Sequence, residues 1–208
     1  INRLFTLRFD ERWRRQAAEE CLSAGAARIL DLCTGTGDLA VRIALSAGAK
    51  ASVFGVDFSM PMLEFARAKA ARAGADVAFS AGDAGDLPFR DGGFRNLTYR
   101  NPGRDRYLAE ILRVLAPGGR FVIVESSQPR SGLFRTLVHL YTRIGVSFIG
   151  GVVSGQRGAY NYLAHSAVNF HGPGELADLL RSAGFSRVEY HRLLGGVAAL
   201  HIAYKDNK

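Results

Sequence analysis

Cysteine and histidine are scarce in this chain, and their scarcity excludes several classes of protein. There are two cysteines, Cys21 and Cys33, and five histidines, and their spacing is not that of zinc ligands. Two cysteines also cannot build the disulfide framework of a small secreted domain, so we expect a reducing compartment. We predict no bound metal.

Long apolar runs are absent as well. No stretch approaches the ~20 apolar residues that a membrane-spanning helix needs. Residues 1–13 alternate arginine with apolar side chains, which is not the pattern of a signal peptide. We therefore expect a cytoplasmic protein, soluble or peripheral on the inner face of the cytoplasmic membrane.

Acidic residues are outnumbered by basic ones, 19 against 27, which leaves a net charge of +8. Such an excess suits nucleic acid, an anionic membrane surface or an acidic ligand, and a solvated basic surface explains it equally well. The charge alone does not choose among these. A length of 208 residues with 48% hydrophobic side chains fits one folded domain, residues 1–208, and excludes disorder.

The chain does contain a regular alternation of predicted strands and helices. Strands are predicted at residues 28–33, 51–56, 77–81, 120–125, 187–193 and 197–204. Helices are predicted at residues 9–22, 38–46, 59–73, 104–115 and 173–183. The alternation predicts an α/β fold with a doubly wound, mostly parallel, seven-stranded sheet that ends in an antiparallel hairpin. Residues 133–153 are apolar and aromatic, which indicates a cover inserted at about 130–170.

A glycine turn follows the first predicted strand, at Gly35 and Gly37, and Asp57 lies 20 residues further on. This spacing suits a carboxylate that binds both hydroxyls of a ribose, in a nicotinamide enzyme or in a methyltransferase. Asp31, before the turn, would repel a pyrophosphate but suits an amino group. Asp83 and Ala84 follow the third strand and suit an adenine edge. These residues favour S-adenosylmethionine over a dinucleotide.

Several longer segments carry a resemblance to a known family. They are residues 30–38 (LDLCTGTGD), 55–59 (GVDFS), 82–84 (GDA), 113–119 (RVLAPGG) and 195–201 (GGVAALH). On these segments the chain resembles the class I methyltransferases and, more narrowly, the quinone-biosynthesis C-methyltransferases that act on demethylmenaquinone and ubiquinone precursors.

The resemblance implies transfer of a methyl group from S-adenosylmethionine to a ring carbon of a reduced prenylated quinone, with S-adenosylhomocysteine as the product. Ser127-Gln-Pro129 is more similar to the menaquinone branch, so demethylmenaquinol is the preferred acceptor. The predicted cofactor contacts are Asp31, Gly35, Thr36, Gly37, Asp57, Phe58, Asp83 and Ala84. The expected partners are a prenylated quinol, a transient anionic membrane surface and a second copy in a homodimer.

Other acceptors stay open at this point. A phenol, a sterol or an amine would use the same fold and cofactor. Nucleic acid is disfavoured, because no RNA-binding module is appended and no aromatic residue follows Asn101-Pro102. A binding module without activity ranks last, because the set of cofactor residues is intact apart from the fourth strand.

Methylation of a ring carbon needs an electron-rich ring, which a hydroquinone becomes when one hydroxyl loses its proton. A cation or a base near the cofactor would assist, and we select Arg95 with Asn96 beside it. Tyr160 in the cover and His201 in the last strand are further catalytic candidates, and Glu125 at a strand end could anchor the acceptor.

The sequence departs from the family pattern between Phe94 and Arg95, where a fourth strand and its turn are expected. Residues 92–96 (GGFRN) do not show the alternation of a strand. We therefore expect the central strand to be missing, with residues absent at this point and also before Ile1.

Overall fold

The structure is a computed structural model that describes residues 9–23, 25, 28–99, 105–127, 132, 136 and 172–207. The strands are β1 (Arg28–Leu32), β2 (Ser52–Asp57), β3 (Val77–Ala81), β4 (Phe94–Tyr99), β5 (Leu115–Ser126), β6 (Arg187–Leu193) and β7 (Ala198–Tyr204). The helices are α1 (Phe9–Ser23), α2 (Asp38–Ala47), α3 (Met60–Ala73), α4 (Asp105–Val114) and α5 (Pro173–Ser182). The predicted cover at 130–170 lies outside the described residues apart from two isolated positions.

One seven-stranded sheet has the order β3-β2-β1-β4-β5-β7-β6. The first five strands pair in parallel, whereas β7 is antiparallel to both β5 and β6. The predicted doubly wound, mostly parallel sheet with an antiparallel C-terminal pair is confirmed. The strand order reverses between β1 and β4, and in an open α/β sheet this reversal opens a crevice at the carboxyl ends of the two strands.

Each face of the sheet has its own core, because successive side chains of a strand point to opposite faces. In β1, Leu30 and Leu32 join the core beneath α4 and α5, whereas Ile29 joins the core beneath α1 and α2. Asp31 lies two residues after Ile29, so its side chain points to the same face of the sheet. Its carboxylate therefore lies on the α1 and α2 side of the crevice.

The prediction that the central strand is missing is wrong. Phe94 and Arg95 are consecutive residues of β4, which pairs with β1 and with β5. A register shift between Phe94 and Asn96 marks a bulge, so that Phe94 and Leu97, three residues apart, bury in the same core. The bulge breaks the two-residue alternation by which a strand is identified in a sequence.

The boundary between α4 and β5 also differs from the expected one. The helix ends at Val114 and the strand begins at once at Leu115, five positions before the predicted start at Arg120. Leu115 is fully buried and pairs with Phe94 across the bulge. The strand therefore includes the Pro117-Gly118 segment, which lies between the predicted helix and the predicted strand.

Candidate functional site

A cavity of about 700 Å³ lies at the carboxyl ends of β1 and β4. The turn between β1 and α2 forms its floor, and the last two residues of β4 and Val122 and Val124 of β5 contribute one wall. Arg14 and Ala17 of α1 line it from one side, and Met62 and Lys69 of α3 from another. The cavity therefore occupies the crevice that the strand order creates.

The turn after β1 is built on left-handed backbone. Cys33, Gly35 and Gly37 have φ angles of 52°, 57° and 72°. A Cβ on Gly37 would lie 2.9 Å from Ala66 Cβ and 3.0 Å from the ring of Phe79, so a side chain does not fit there. Cys33 adopts this backbone without being glycine, at a cost of about 1–2 kcal/mol. The turn at the cavity thus combines strained backbone at Cys33 with close packing at Gly37.

Asp57, the last residue of β2, organises the turn from the neighbouring strand. One carboxylate oxygen accepts a hydrogen bond from the backbone N–H of Gly35 at 2.8 Å, and the other accepts one from Ser59 N–H at 2.9 Å. The residue is 6% exposed. A carboxylate has about four acceptor sites, so Asp57 retains capacity for ligand hydroxyls.

Asp31 is held by two hydroxyl groups. Thr34 Oγ1 donates to one carboxylate oxygen at 2.7 Å, and Thr98 Oγ1 of β4 donates to the other at 2.5 Å. The two bonds fix the carboxylate across the pairing of β1 with β4. A buried anion in this orientation suits a cationic ligand group.

Cys33, which is partly buried, and Tyr99, which is buried, lie at the ends of β1 and β4 and share a hydrogen bond. Burial, reinforced by the negative charge of Asp57, raises the pKa of the Cys33 thiol to about 11. Burial is also the main reason that the pKa of Tyr99 is raised. Both side chains are therefore neutral at physiological pH.

A network of charges joins α1, α2 and α3 beside the turn. Lys69 Nζ donates to the carbonyl oxygen of Thr36 at 2.7 Å and to Asp38 at 2.5 Å. Arg14 lies 3.5 Å from Asp38 and 3.0 Å from Asp10. The turn is thereby held by side chains from three helices.

The remaining predicted cofactor residues lie at the same end of the sheet. Gly82 N–H donates to the carbonyl oxygen of Asp57 at 3.1 Å, which places Asp83 and Ala84 beside the end of β2. Asp83 is exposed, accepts Gly85 N–H at 2.9 Å and lies 3.5 Å from Arg106. Phe58 follows Asp57 and is 82% exposed.

The structure does not bring Arg95 or Asn96 to the cavity. Arg95 is exposed, and its guanidinium donates to the carbonyl oxygen of Pro117 at 3.1 Å. It lines a second depression, next to Arg120 and Lys205 at the amino end of the sheet. Asn96 is buried inside β4, and its amide has no hydrogen-bond partner within the described residues.

His201 also lies away from the cavity. It is buried in the middle of β7, with Nε2 2.9 Å from the carbonyl oxygen of Pro173 and its ring beside Tyr190. Burial lowers its pKa. Glu125 is near the carboxyl end of β5, and its charge acts on Tyr99. Tyr160 lies outside the described residues.

Sequence reasoning missed Thr34, Thr98, Tyr99, Lys69 and Arg14. Thr98 and Tyr99 could have been found only with β4 in place, because strand pairing brings them to Asp31 and Cys33. Arg14 had a signal, since it stands four residues from Asp10 in a helix that otherwise buries alanine and cysteine. Among the residues described, no group of three metal-ligating side chains converges.

The sequence profile of the ubiE/COQ5 methyltransferase family matches residues 1–205. The chain belongs to this family. A demethylmenaquinone methyltransferase from Thermus thermophilus is 44% identical over 207 residues, which cover 97% of this chain and 93% of that protein. One from Deinococcus radiodurans is 40% identical over 99% of this chain and 86% of that protein. The ubiE/COQ5 match confirms the predicted family, the methyltransferase class and the methyl donor, S-adenosylmethionine.

Solved structures agree with the family's expected fold. The [4+2]-cyclase SpnF superposes with a TM-score of 0.71 at 21% identity, covering 95% of this chain and 82% of that one. A SAM-dependent methyltransferase from Aquifex aeolicus gives a TM-score of 0.64 at 16% identity, with 92% and 88% covered. At these identities the likeness establishes the fold.

Proposed function

We propose that this protein transfers the methyl group of S-adenosylmethionine to a ring carbon of demethylmenaquinol, a reduced prenylated quinone. The observation that carries this proposal is the 44% identity with the demethylmenaquinone methyltransferase of Thermus thermophilus along 97% of the chain. A second relative of the same name, from Deinococcus radiodurans, supports the same branch at 40% identity.

The residues at the crevice fit the cofactor. Asp57 has acceptor sites left for the ribose hydroxyls, and Asp31 presents a buried carboxylate to the ammonium group. We assign the adenine to Asp83 and Ala84, which lie next to the end of β2. Bound here, S-adenosylmethionine supplies an electrophilic methyl group on a sulfonium.

Positioning is the main contribution that we assign to the chain. Transfer from a sulfonium spreads charge rather than creating it, so alignment of two carbon atoms can supply much of the acceleration, up to about 7–11 kcal/mol. The Thr34–Asp31–Thr98 hydrogen bonds and the glycine turn are rigid parts suited to that task.

The acceptor must be activated at the carboxyl end of β4 and β5. Tyr99 and Glu125 are among the described polar residues there. Arg95 is not retained, because it lies at the other end of β4. The same Arg–Asn pair recurs in the sequence at Arg100-Asn101, directly after the last residue of β4, and we assign the phenolate-stabilising role to Arg100. Tyr160 stays a proposed residue of the cover.

The acceptor test uses reduced quinones with a labelled methyl donor. Demethylmenaquinol is compared with a benzoquinol of the ubiquinone branch, a simple phenol, a sterol and RNA, and label is measured in each extracted product. We expect label in the menaquinol fraction, with at least tenfold less in any other acceptor. Equal labelling of the phenol, or labelling of RNA alone, would contradict the proposal.

A membrane surface is part of the proposal, because a prenylated acceptor is insoluble in water. None of the helices in the described ranges is long and apolar enough to span a bilayer. We propose that residues 130–170 cover the acceptor pocket and rest on anionic lipid, which makes the protein peripheral on the inner face of the cytoplasmic membrane. Flotation with anionic and with neutral vesicles tests this, and failure to float with both kinds of vesicle would refute it.

We also predict that the protein forms a homodimer, which light scattering can test.

A further inference from the structure

The second depression, at the amino end of the sheet, lies apart from the cofactor crevice. Its volume is about 520 Å³, and a row of three side chains from neighbouring strands lines it. Arg120 of β5 pairs with Tyr204 of β7, and Tyr204 pairs in turn with Arg187 of β6. Directly paired residues of adjacent strands lie side by side on one face of a sheet, so two guanidinium groups flank one aromatic ring.

The ring of Tyr204 holds both arginines in place. Their Cζ atoms lie 5.4 Å and 5.0 Å from the centroid of the ring. A cation–π contact restricts a guanidinium group but uses none of its five N–H donors. Arg120 donates one N–H to Ser23 Oγ at 2.6 Å, and Arg187 forms an ion pair with Glu189. These contacts leave N–H donors of both arginines for a ligand.

Positive charge accumulates around the depression. Arg95 and Lys205 also line it, and both donate to backbone carbonyl oxygens, which carry no formal charge. The acid among the lining residues is Asp206, whose carboxylate accepts the backbone N–H of Asn207 at 2.6 Å. Like charges gathered in a concave surface reinforce one another and raise the local concentration of anions. The depression therefore suits a ligand with several negative charges.

Gly118 allows the parts of the depression to approach one another. It has left-handed backbone, with a φ of 64°. A Cβ at this position would collide with Asn207 Oδ1 and would lie 3.3 Å from Arg95 Nη1. The lack of a side chain at Gly118 thus lets Arg95 and the residues after β7 close around the same space.

The planar fork of an arginine matches two oxygens of a phosphate group. A volume of about 520 Å³ also lies within the range of sites for small organic ligands, about 300–1,000 Å³. We propose that Arg120 and Arg187 bind a soluble diphosphate anion, either free or as the diphosphate group of a small organic ester.

The headgroup of an anionic lipid has the same phosphate chemistry. The acceptor, however, enters at the carboxyl end of the sheet, so the membrane that delivers it lies there. The amino end is one strand length away, about 17–20 Å. The choice of a soluble ligand therefore rests on the proposed function, whereas the anion site itself does not.

The test is titration calorimetry with inorganic pyrophosphate at constant ionic strength and without a methyl donor. We expect Arg187→Gln and Arg120→Gln each to weaken pyrophosphate binding about 10- to 100-fold, the range for hydrogen bonds to a charged group. Arg187→Lys keeps the charge but loses the fork, so its loss should be intermediate.

Arg192→Gln is the matched control. Arg192 belongs to the same strand, β6, and its Cζ also lies over a tyrosine ring, 5.9 Å from the centroid of Tyr190. It is five residues from Arg187, towards the other end of the strand. Its removal should change pyrophosphate binding by less than about twofold, because salt screens an exposed charge at that distance.

Several results would overturn the proposal. One is pyrophosphate binding that is no tighter than acetate binding at the same ionic strength. Another is an equal loss in Arg187→Gln and Arg192→Gln, which would indicate a response to net charge rather than a site. Tighter binding of a short RNA than of pyrophosphate would assign the row to nucleic acid. Flotation with phosphatidic acid vesicles that is lost in Arg187→Gln would assign it to lipid.

Failure of the anion site and failure of the proposed function give different results. The calorimetry uses neither the methyl donor nor the quinol. If demethylmenaquinol is not methylated but pyrophosphate binding depends on Arg120 and Arg187, the proposed function is wrong and the anion site stands. If methylation occurs and pyrophosphate does not bind, the anion site is wrong.

Discussion

The carboxyl end and the amino end of the sheet carry different balances of charge. At the carboxyl end, Asp31 and Asp38 line the cavity together with Arg14 and Lys69. At the amino end, a second depression of about 520 Å³ is lined by four cations, with Asp206 as the acid among its lining residues. These cations are Arg95, Arg120, Arg187 and Lys205. The comparison teaches that part of the basic excess lies away from the cofactor, so the net charge does not describe the active site.

The described contacts of the cations at the amino end are structural. Lys205 Nζ donates to the carbonyl oxygens of Leu112 and Leu115 at 2.6 and 2.7 Å, where α4 ends. Arg120 and Arg187 lie over the ring of Tyr204, 5.4 and 5.0 Å from its centroid. The acids of the crevice instead hold a turn and present oxygens to a cavity.

The largest effect is expected from a comparison of two aspartates. Asp57→Ala should weaken S-adenosylhomocysteine binding by more than about 100-fold, because each hydrogen bond to a charged group contributes about 1.5–3 kcal/mol and the glycine turn also loses its anchor. Asp206→Ala, at the amino end, should change binding by less than about twofold. Calorimetry measures the affinity of both variants, and equal losses of affinity would contradict the functional difference between the two ends of the sheet.

Arg95, the second residue of β4, and Arg100, the residue that follows the strand in the sequence, provide the next comparison. Arg100→Ala should lower kcat about 100-fold if Arg100 stabilises the phenolate, within the range for assisted proton transfer. Arg95→Ala should leave kcat and KM nearly unchanged, because its exposed guanidinium contacts the carbonyl oxygen of Pro117. A larger loss in Arg95→Ala than in Arg100→Ala would show that the assignment is reversed.

Two glycines separate backbone strain from steric fit. Gly37 and Gly74 have similar left-handed backbone, with φ of 72° and 65°, but only Gly37 meets neighbouring atoms within 4 Å. Gly74→Ala should cost about 1 kcal/mol in unfolding free energy, from strain alone. Gly37→Ala should cost about 3 kcal/mol, because overpacking against Ala66 is added. Urea unfolding measures both, and equal costs would mean that the contact at Gly37 relaxes.

The smallest effect concerns thiol reactivity at the crevice. Because the pKa of Cys33 is raised to about 11, its thiol stays protonated at pH 8, and iodoacetamide should alkylate it roughly 10- to 100-fold more slowly than a free thiol. The rate should rise as the pH approaches 11. Cys21 is fully buried and should react only after unfolding. Rapid labelling of Cys33 at pH 8 in the folded protein would contradict this.

The sequence predicted what is local in the chain. The turn at Gly35 and Gly37 and the acid that follows it are recognisable because one strand, one turn and one helix are contiguous. β4 was missed because its bulge places Phe94 and Leu97 on one face and leaves two polar residues between them. Thr98 belongs to the site only through tertiary packing, which no local pattern reveals.

The hydrogen bond between Thr98 and Asp31 also bears on how the protein folds. It joins residues 67 positions apart in the sequence, and it links β1 to β4 at the crevice. Closure of a long loop costs entropy before any native contact compensates for it, so parallel pairing of β1 with β4 is expected to be slow. A nascent chain that ends before Thr98 has the glycine turn but only half of the hydroxyl pair that fixes Asp31. Cofactor binding during refolding should therefore appear with the docking of β4, and it offers a probe of that step.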